Sequence, residues 1–404
     1  MHKSLRLLSR LSALSIVPFS LALVAVSCTQ PDSNQPQAES GTEAESVGET
    51  QVVASYSVLC DMTEQIAQST VDLTCLIDAG QDPHAYSATP ADRRAIEEAD
   101  LVLYGGYEFE PEIIQMIEAT DTPAPKVAVS EVAVSDPLLG EAHDHHHAEG
   151  EAHSEDEHHA EGEAHSEDDH HHAEGEAHSE DEHHAEGEAH SEDEHHAEGE
   201  AHSEDEHHAE GEMVPDPHVW HDAENGIAMV QAVQAQLSEI SPENAELYEA
   251  NAEALVAQIE QLDTWIGTQI ETVPASSRTI ISTHEALGYY ADAYGLEIEP
   301  ALDSFSTEAR PSAATVKELT EVVESKGVPS IFVESTSNPG LIETVSRETD
   351  ITVSQDPIYA DGLGDAETSA ATYQGMLVTN TCTIVDGLGG TCDQAAAQAL
   401  LPAQ

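Results

Sequence analysis

The chain has 404 residues and carries 11 Lys or Arg against 80 Asp or Glu, a formal net charge of −69 at pH 7. Such a surface repels nucleic acid and anionic lipid and attracts cations, so we expect no nucleic-acid partner. The length is sufficient for two domains, or for one large domain with two lobes.

The N-terminal segment, residues 1–28, has the pattern of an export signal. Basic residues within the first ten precede an apolar run from Leu11 to Val26, and Cys28 follows small residues. This resembles a lipoprotein cleavage site, so we expect a lipid on Cys28 and a flexible tether at 29–50. Ala25 stands where Leu is usual, which leaves an ordinary signal peptide or an uncleaved anchor as alternatives. Each of these exports the protein.

Strand and helix patterns alternate from residue 51. QVVASYSVLC (51–60) is apolar and β-branched, which predicts a buried strand. VDLTCLI (71–77) is predicted as a second strand, with a helix between the two. Thr89 is placed to cap a helix that begins at Pro90, and a further strand follows at 99–106. This alternation predicts a parallel sheet covered on both faces.

Residues 143–212 repeat the unit HHAEGEAHSEDE with a period of twelve. They contain twenty of the 25 histidines and no apolar residue larger than Ala. Such a segment cannot bury enough surface to offset the entropy lost on ordering. We therefore expect a disordered His/acid-rich loop.

A long helix is predicted in the middle of the chain. AENGIAMVQAVQAQLSEI is an amphipathic helix, and Ser241 and Pro242 then restart a helix that runs to about Thr272. About thirty residues span roughly 45 Å. Strand and helix patterns alternate again from residue 278, which predicts a second parallel sheet.

The predicted fold is therefore α/β, with two Rossmann-like lobes that one long rigid helix joins. The N-terminal lobe is expected at 51–240, the linking helix at 241–273 and the C-terminal lobe at 274–404.

Four cysteines remain besides Cys28, and they allow three pairings. We expect the sequence-local pairs, Cys60–Cys75 and Cys382–Cys392, since an exported protein meets an oxidising compartment. Buried free thiols are the alternative.

The predicted lobes contain four histidines, at 84, 218, 221 and 284. His84, His218 and His284 lie after predicted strands or before a helix, and Asp361 follows another strand. Ligands of open α/β sheets bind at the carboxyl ends of strands. Three imidazoles and one carboxylate suit tetrahedral zinc, so these four residues are the candidate ligands. His221 is expected to be exposed at a helix start, and otherwise to be an auxiliary ligand that passes metal inward.

Several segments together resemble the metal-specific solute-binding proteins of ABC importers, most closely the zinc-binding ZnuA-type members. They are DPHAYSATPADRRAIEEADLVLYGG, DPHVWHD, STHEALGYYADAYGL, ARPSAATVKELTEVVESKGVPSIFVE and YADGLG. The resemblance covers about 51–135 and 213–380 and implies a metal held in the cleft between two lobes. It implies that the three histidines are ligands, with Asp361 at the fourth position. Manganese and iron binders usually have Glu at position 284, whereas His284 favours zinc.

The resemblance implies a function in metal uptake. We expect a monomeric, extracytoplasmic or periplasmic lipoprotein that captures Zn²⁺ and delivers it to the permease and ATPase of an importer. The His/acid-rich loop would then provide weak zinc sites that buffer, scavenge or sense the metal, with a solubilising acidic loop as the alternative.

Other functions remain open at this point. A Mn²⁺ or Fe²⁺ importer subunit is the close alternative, and a zinc-storage or adhesion lipoprotein is a further one. A zinc hydrolase would need Glu285 as general base and an open fourth position, which Asp361 would close. We expect no enzyme, because no nucleophile arrangement has supporting context. The segment GYEFEP (106–111) is interpreted as a solvated surface.

Overall fold

The computed structural model describes four stretches of the chain: residues 50–141, 213–302, 304–308 and 312–401. The predicted signal segment with Cys28, the tether before residue 50 and the His/acid-rich loop lie outside the described residues. Among the helices that are described, none is both long and apolar enough to cross a membrane.

The described chain begins with a β-α-β unit formed by strand β1 (Thr50–Tyr56), helix α1 (Ser57–Ala67) and strand β2 (Val71–Ile77). The strand predicted at 51–60 is wrong at its end, because α1 begins at Ser57. The buried side chains of α1 follow helical spacing, at Val58, Leu59, Met62 and Ile66. A short buried helix and a buried strand give the same apolar run in the sequence, so the run alone does not separate them.

Five further elements complete the first sheet and its helices: α2 (Pro90–Glu98), β3 (Leu101–Tyr104), α3 (Pro111–Ala119), β4 (Lys126–Ala128) and α4 (Val129–Ala133). The four strands pair in parallel in the order β2-β1-β3-β4, which places β1 in the interior of the sheet. Thr89 caps α2 as predicted: its side chain accepts the backbone N–H of Asp92, whose carboxylate accepts the N–H of Thr89.

A short hairpin and two helices follow. Strands β5 (Leu139–Glu141) and β6 (Met213–Pro215) pair antiparallel, so the chain returns at Met213 to the place it left at Glu141. Helix α5 (Ala223–Ile240) packs along helix α6 (Ala245–Ile270), which is about 39 Å long. The predicted long helix is thus present, but it begins later than expected because residues 242–244 form a 3₁₀ turn.

The remaining elements alternate as the sequence predicts: β7 (Thr279–Ser282), α7 (Gly288–Tyr294), β8 (Glu297–Pro300), α8 (Ala313–Lys326), β9 (Ser330–Ile331), α9 (Gly340–Thr349), β10 (Thr352–Val353), α10 (Tyr373–Gly387) and α11 (Gln394–Gln398). Strand β7 pairs in parallel with β8, and β9 with β10. The backbone N–H of Phe332 donates to the carbonyl of Ile281 at 2.9 Å and links the two pairs. The predicted α/β class with parallel sheets is confirmed.

Two apolar cores stabilise these layers. The larger one extends from the first sheet through α1, α5 and α6 to α10, and the smaller one lies among β7, α8 and α9. The disulfide Cys60–Cys75 joins α1 to β2, and Cys382–Cys392 joins α10 to the segment before α11. The limits of the two lobes and of the linking helix stay predictions.

Candidate metal centre

His84 lies in the loop between β2 and α2 and is buried. Its backbone N–H donates to Oδ1 of Asp82 at 3.0 Å. The other carboxylate oxygen of Asp82 accepts the hydroxyl of Thr307 at 2.5 Å. Asp82 therefore fixes the loop that carries His84 and ties it to the loop after β8.

His218 lies three residues after β6 and is fully buried. Oδ1 of Asp216 accepts both the backbone N–H of His218, at 2.9 Å, and its ring Nδ1–H, at 2.8 Å. One carboxylate thus orients the ring and leaves Nε2 facing the centre of the site.

His284 follows β7 by two residues and is also fully buried. Its Nδ1 donates to Oε2 of Glu334 at 2.6 Å, and its backbone N–H donates to Oε1 of the same side chain at 3.1 Å. Glu334 lies just beyond β9, the strand linked to β7. The ends of two adjacent strands therefore position this imidazole.

The three Nε2 atoms converge on the buried carboxylate of Asp361. Oδ1 of Asp361 lies 3.3 Å from Nε2 of His84, 3.3 Å from that of His218 and 3.1 Å from that of His284. The Nε2 atoms of His84 and His218 are 3.3 Å apart. Oδ2 of Asp361 points away from the rings and accepts the hydroxyl of Thr336.

These spacings have the dimensions of a tetrahedral site. Four ligand atoms at 2.0–2.1 Å from one ion, the distances typical of zinc, lie about 3.3 Å from one another. The four separations given above match that distance, and all four ligand atoms lie within 4.8 Å of one another. The arrangement is therefore able to hold one divalent metal ion without a further protein ligand.

Charge is concentrated at the site. Burial raises the pKa of Asp361, but attraction to His284 and the imidazole hydrogen bonds outweigh it and hold that pKa well below its usual value. Burial lowers the pKa of His284, but the Glu334 and Asp361 carboxylates raise it well above its usual value. The pKa of His84 is lowered, chiefly by burial. A bound metal must displace protons from the imidazoles, so metal and protons compete here.

Phe109 forms one wall of the site, a role that the sequence did not suggest. Its ring lies edge-on to the rings of His84 and His218, with centroids 5.0 Å and 5.6 Å away. Phe109 and Glu110 are both buried, so the interpretation of GYEFEP as a solvated surface is wrong. A signal was present, because an apolar residue just before the cap of a helix often packs against that helix, and α3 begins at Pro111.

His221 is buried, and the expectation that it is exposed is wrong. It lies in a 3₁₀ turn, where its Nε2 donates to the carbonyl of Ala360 at 2.7 Å. Burial lowers its pKa to about 3, so the ring is neutral. The structure does not bring His221 into the group of four, and its role as an auxiliary ligand stays a prediction.

Comparison with known proteins gives a match to one family, and relatives that are named for two different metals. Residues 52–387 match the family described as zinc-uptake complex component A, periplasmic. The chain is 26% identical to the manganese-binding lipoprotein MntA of Halalkalibacterium halodurans, over 93% of this chain and 97% of that one. It is also 26% identical to the zinc-binding protein TroA of Treponema pallidum, over 86% of this chain and 91% of that one.

Solved structures give the same fold. The periplasmic zinc-binding protein TroA of Treponema pallidum superposes with a TM-score of 0.63 at 25% identity, over 84% of this chain and 99% of the other. A manganese-bound periplasmic metal-binding protein from Candidatus Liberibacter asiaticus superposes with a TM-score of 0.61 at 22% identity. The second likeness supports the fold alone.

Proposed function

This chain belongs to the zinc-uptake complex component A family, the metal-binding subunits of ABC importers. We propose that its own cargo is Zn²⁺. The protein captures the ion outside the cytoplasm and delivers it to a membrane permease driven by an ATPase. Zn²⁺ is here the transported substrate, and His84, His218, His284 and Asp361 are its ligands.

The spacing of the four ligand atoms is the observation that supports zinc. Relatives of this chain are named for manganese as well as for zinc, so family membership leaves the metal open. Mn²⁺ prefers six oxygen-rich ligands, whereas Zn²⁺ accepts imidazole nitrogen in a four-coordinate tetrahedron. A set of three nitrogens and one oxygen with separations near 3.3 Å suits the second of these ions.

A binding protein also suits the site better than a hydrolase does. Catalytic zinc keeps one position open for water, whereas Asp361 occupies the fourth position here. We infer that the chain is not an enzyme.

Export and membrane anchoring rest on the sequence and on the relatives. The relative from Halalkalibacterium halodurans is named a lipoprotein, and Cys28 provides the matching lipidation site in this chain. We propose an extracytoplasmic monomer that a lipid on Cys28 anchors to the membrane.

The His/acid-rich loop supplies additional, weaker zinc sites in this proposal. Pairing of Glu141 with Met213 holds both ends of residues 142–212 at one hairpin, and β6 leads into His218 three residues later. Zinc held by the loop is therefore tethered close to the main site and has a high effective concentration there.

Zinc titration of the full chain against a chelator of moderate affinity tests the proposal, since the chelator outcompetes the weak sites. We expect one tight site that prefers Zn²⁺ to Mn²⁺, and a loss of orders of magnitude in zinc affinity for His284→Ala. His158→Ala, the same change in the repeat, is the matched control and should leave the tight site unchanged. A change below twofold for His284→Ala, or tighter binding of Mn²⁺ than of Zn²⁺, refutes the proposal.

A further inference from the structure

Tyr289 connects the second half of the chain to the hairpin that precedes His218. It is the second residue of α7 and is buried, with 6% of its surface exposed. Its phenol oxygen accepts the backbone N–H of Leu138 at 3.0 Å and donates to the backbone carbonyl of Asp216 at 3.3 Å. One hydroxyl therefore bonds to both chain segments of the hairpin.

The residue that Tyr289 holds is the one that orients His218. Asp216 is itself buried, and its backbone N–H donates to the carbonyl of Leu138 at 2.8 Å. Its carboxylate accepts the ring Nδ1–H of His218 at 2.8 Å. A displacement of Asp216 at its backbone would therefore move His218 Nε2 relative to the other ligands.

Close packing of the hairpin against its neighbours leaves little room for such a displacement. A Cβ atom added at Gly288, the neighbour of Tyr289, would lie 2.9 Å from Oδ2 of Asp216. A Cβ added at Gly140 in β5 would lie 2.4 Å from the ring of Phe305. The hairpin is therefore in close contact with α7 and with the loop after β8.

We propose that Tyr289 is a positioning residue for metal binding, which pins Asp216 so that His218 meets His284 at tetrahedral spacing. His284 lies five residues before Tyr289, so one short segment supplies a ligand and also holds the support of another. The inference rests on the proposed zinc site, and it adds a residue that touches neither the metal nor a ligand.

The physical consequence is a preorganised site that releases zinc slowly. Without the phenol, the N–H of Leu138 loses its bond to Tyr289 and the carbonyl of Asp216 loses a donor. Mutation of a group bonded directly to a ligand, as Asp216 is to His218, typically changes metal affinity by 10–100-fold. Tyr289 acts one step further out, through Asp216, so we expect an effect at the lower end of that range. The hairpin is then free to shift, so His218 leaves the ion more readily.

Tyr289→Phe in the full chain tests this directly, with Tyr290→Phe as the matched control. The hydroxyl of Tyr290 is also buried and bonds to Thr381 at 2.9 Å, away from the hairpin. We expect Tyr289→Phe to weaken zinc at the tight site by roughly tenfold and to speed its release by a similar factor. Tyr290→Phe should change both by less than twofold. Visible absorption of bound Co²⁺ should show a departure from tetrahedral geometry only in Tyr289→Phe.

A second pair of variants tests the contact between the hairpin and α7 without removing a hydrogen bond. Gly288→Ala should weaken zinc binding, because the new Cβ displaces the Asp216 carboxylate. Gly267→Ala is its control and should leave zinc affinity unchanged, because a Cβ at that position meets no atom within 4 Å. Zinc affinity within twofold of wild type in both Tyr289→Phe and Gly288→Ala overturns the inference, as does an equal loss in Tyr290→Phe. If wild type has no tight site, or His284→Ala keeps it, the proposed function itself fails.

Discussion

Nδ1 of His284 lies 2.6 Å from Oε2 of Glu334, a shorter contact than the 2.8 Å between His218 and its supporting carboxylate, Asp216. Oε1 of Glu334 also accepts the backbone N–H groups of Thr283 and His284. The carboxylate thereby fixes the Nδ1–H tautomer, presents Nε2 to the centre of the site and makes that nitrogen more basic.

Glu334→Gln is therefore expected to weaken zinc binding by roughly 10–100-fold. The groups around this carboxylate, including the hydroxyl of Ser337, are all donors, so an amide nitrogen would face a donor. Chelator competition measures the change. Glu348→Gln, an exposed change on α9, is the control. Affinity within twofold of wild type in Glu334→Gln would show that the pair does not support the ligand.

The three histidines that converge on Asp361 could be singled out from the sequence because the predicted lobes contain so few histidines. Twenty of the 25 lie in the repeat, and three of the four in the predicted lobes lie beside strand or helix ends. The alternation of strands and helices likewise predicted the α/β class. Local patterns and simple counts were sufficient for these features.

The supporting residues were not accessible in this way. Glu334 and Tyr289 act only because β9 lies beside β7 and because the hairpin packs on α7, which are contacts between distant segments. His221 has the sequence context of an exposed helix start, yet the carbonyl of Ala360, from a distant loop, covers it. The type of a residue does not predict which distant element will pack against it.

Thr336→Val should reduce the preference for Zn²⁺ over Mn²⁺. The hydroxyl of Thr336 donates to Oδ2 of Asp361 and leaves only Oδ1 facing the imidazoles. Once Oδ2 is free, the carboxylate is able to bind with both oxygens, and a fifth, oxygen ligand suits Mn²⁺ better than Zn²⁺. Competition between the two ions measures the ratio. Thr344→Val, which removes a hydroxyl bonded within α9, should leave the ratio unchanged. An unchanged ratio in Thr336→Val would contradict the role of that hydroxyl.

Removal of the His/acid-rich loop should leave one tight zinc site and abolish the weak ones. Because Glu141 pairs with Met213, Asn-Gly in place of residues 142–212 would connect β5 to β6 by a two-residue turn. Calorimetry should then give one zinc per chain with the affinity of the tight site in the full chain. Loss of the tight site on removal of the loop would show that the tight site and the weak sites of the loop are not separate.

Glu110 should make the stability of the metal-free protein depend on pH. Its Oε1 accepts the hydroxyl of Ser55 and the backbone N–H of Gly105, both at 2.6 Å. Its Oε2 has no hydrogen-bond partner among the described residues. Burial raises the pKa of Glu110 from 4.5 to about 7, so between these values the folded state holds a proton that the unfolded chain has lost.

The free energy of unfolding should therefore fall as pH rises from about 4.5 to about 7, through the contribution of this one group. Glu110→Gln resembles the protonated acid, so it should stabilise the protein at pH 8 by up to about 3 kcal/mol and by far less near pH 4.5. Denaturant unfolding of the metal-free protein at the two pH values measures this difference. Glu118→Gln, exposed on α3, is the control and should show no such dependence. An equal effect of Glu110→Gln at both pH values would mean that the buried carboxyl does not titrate in this window.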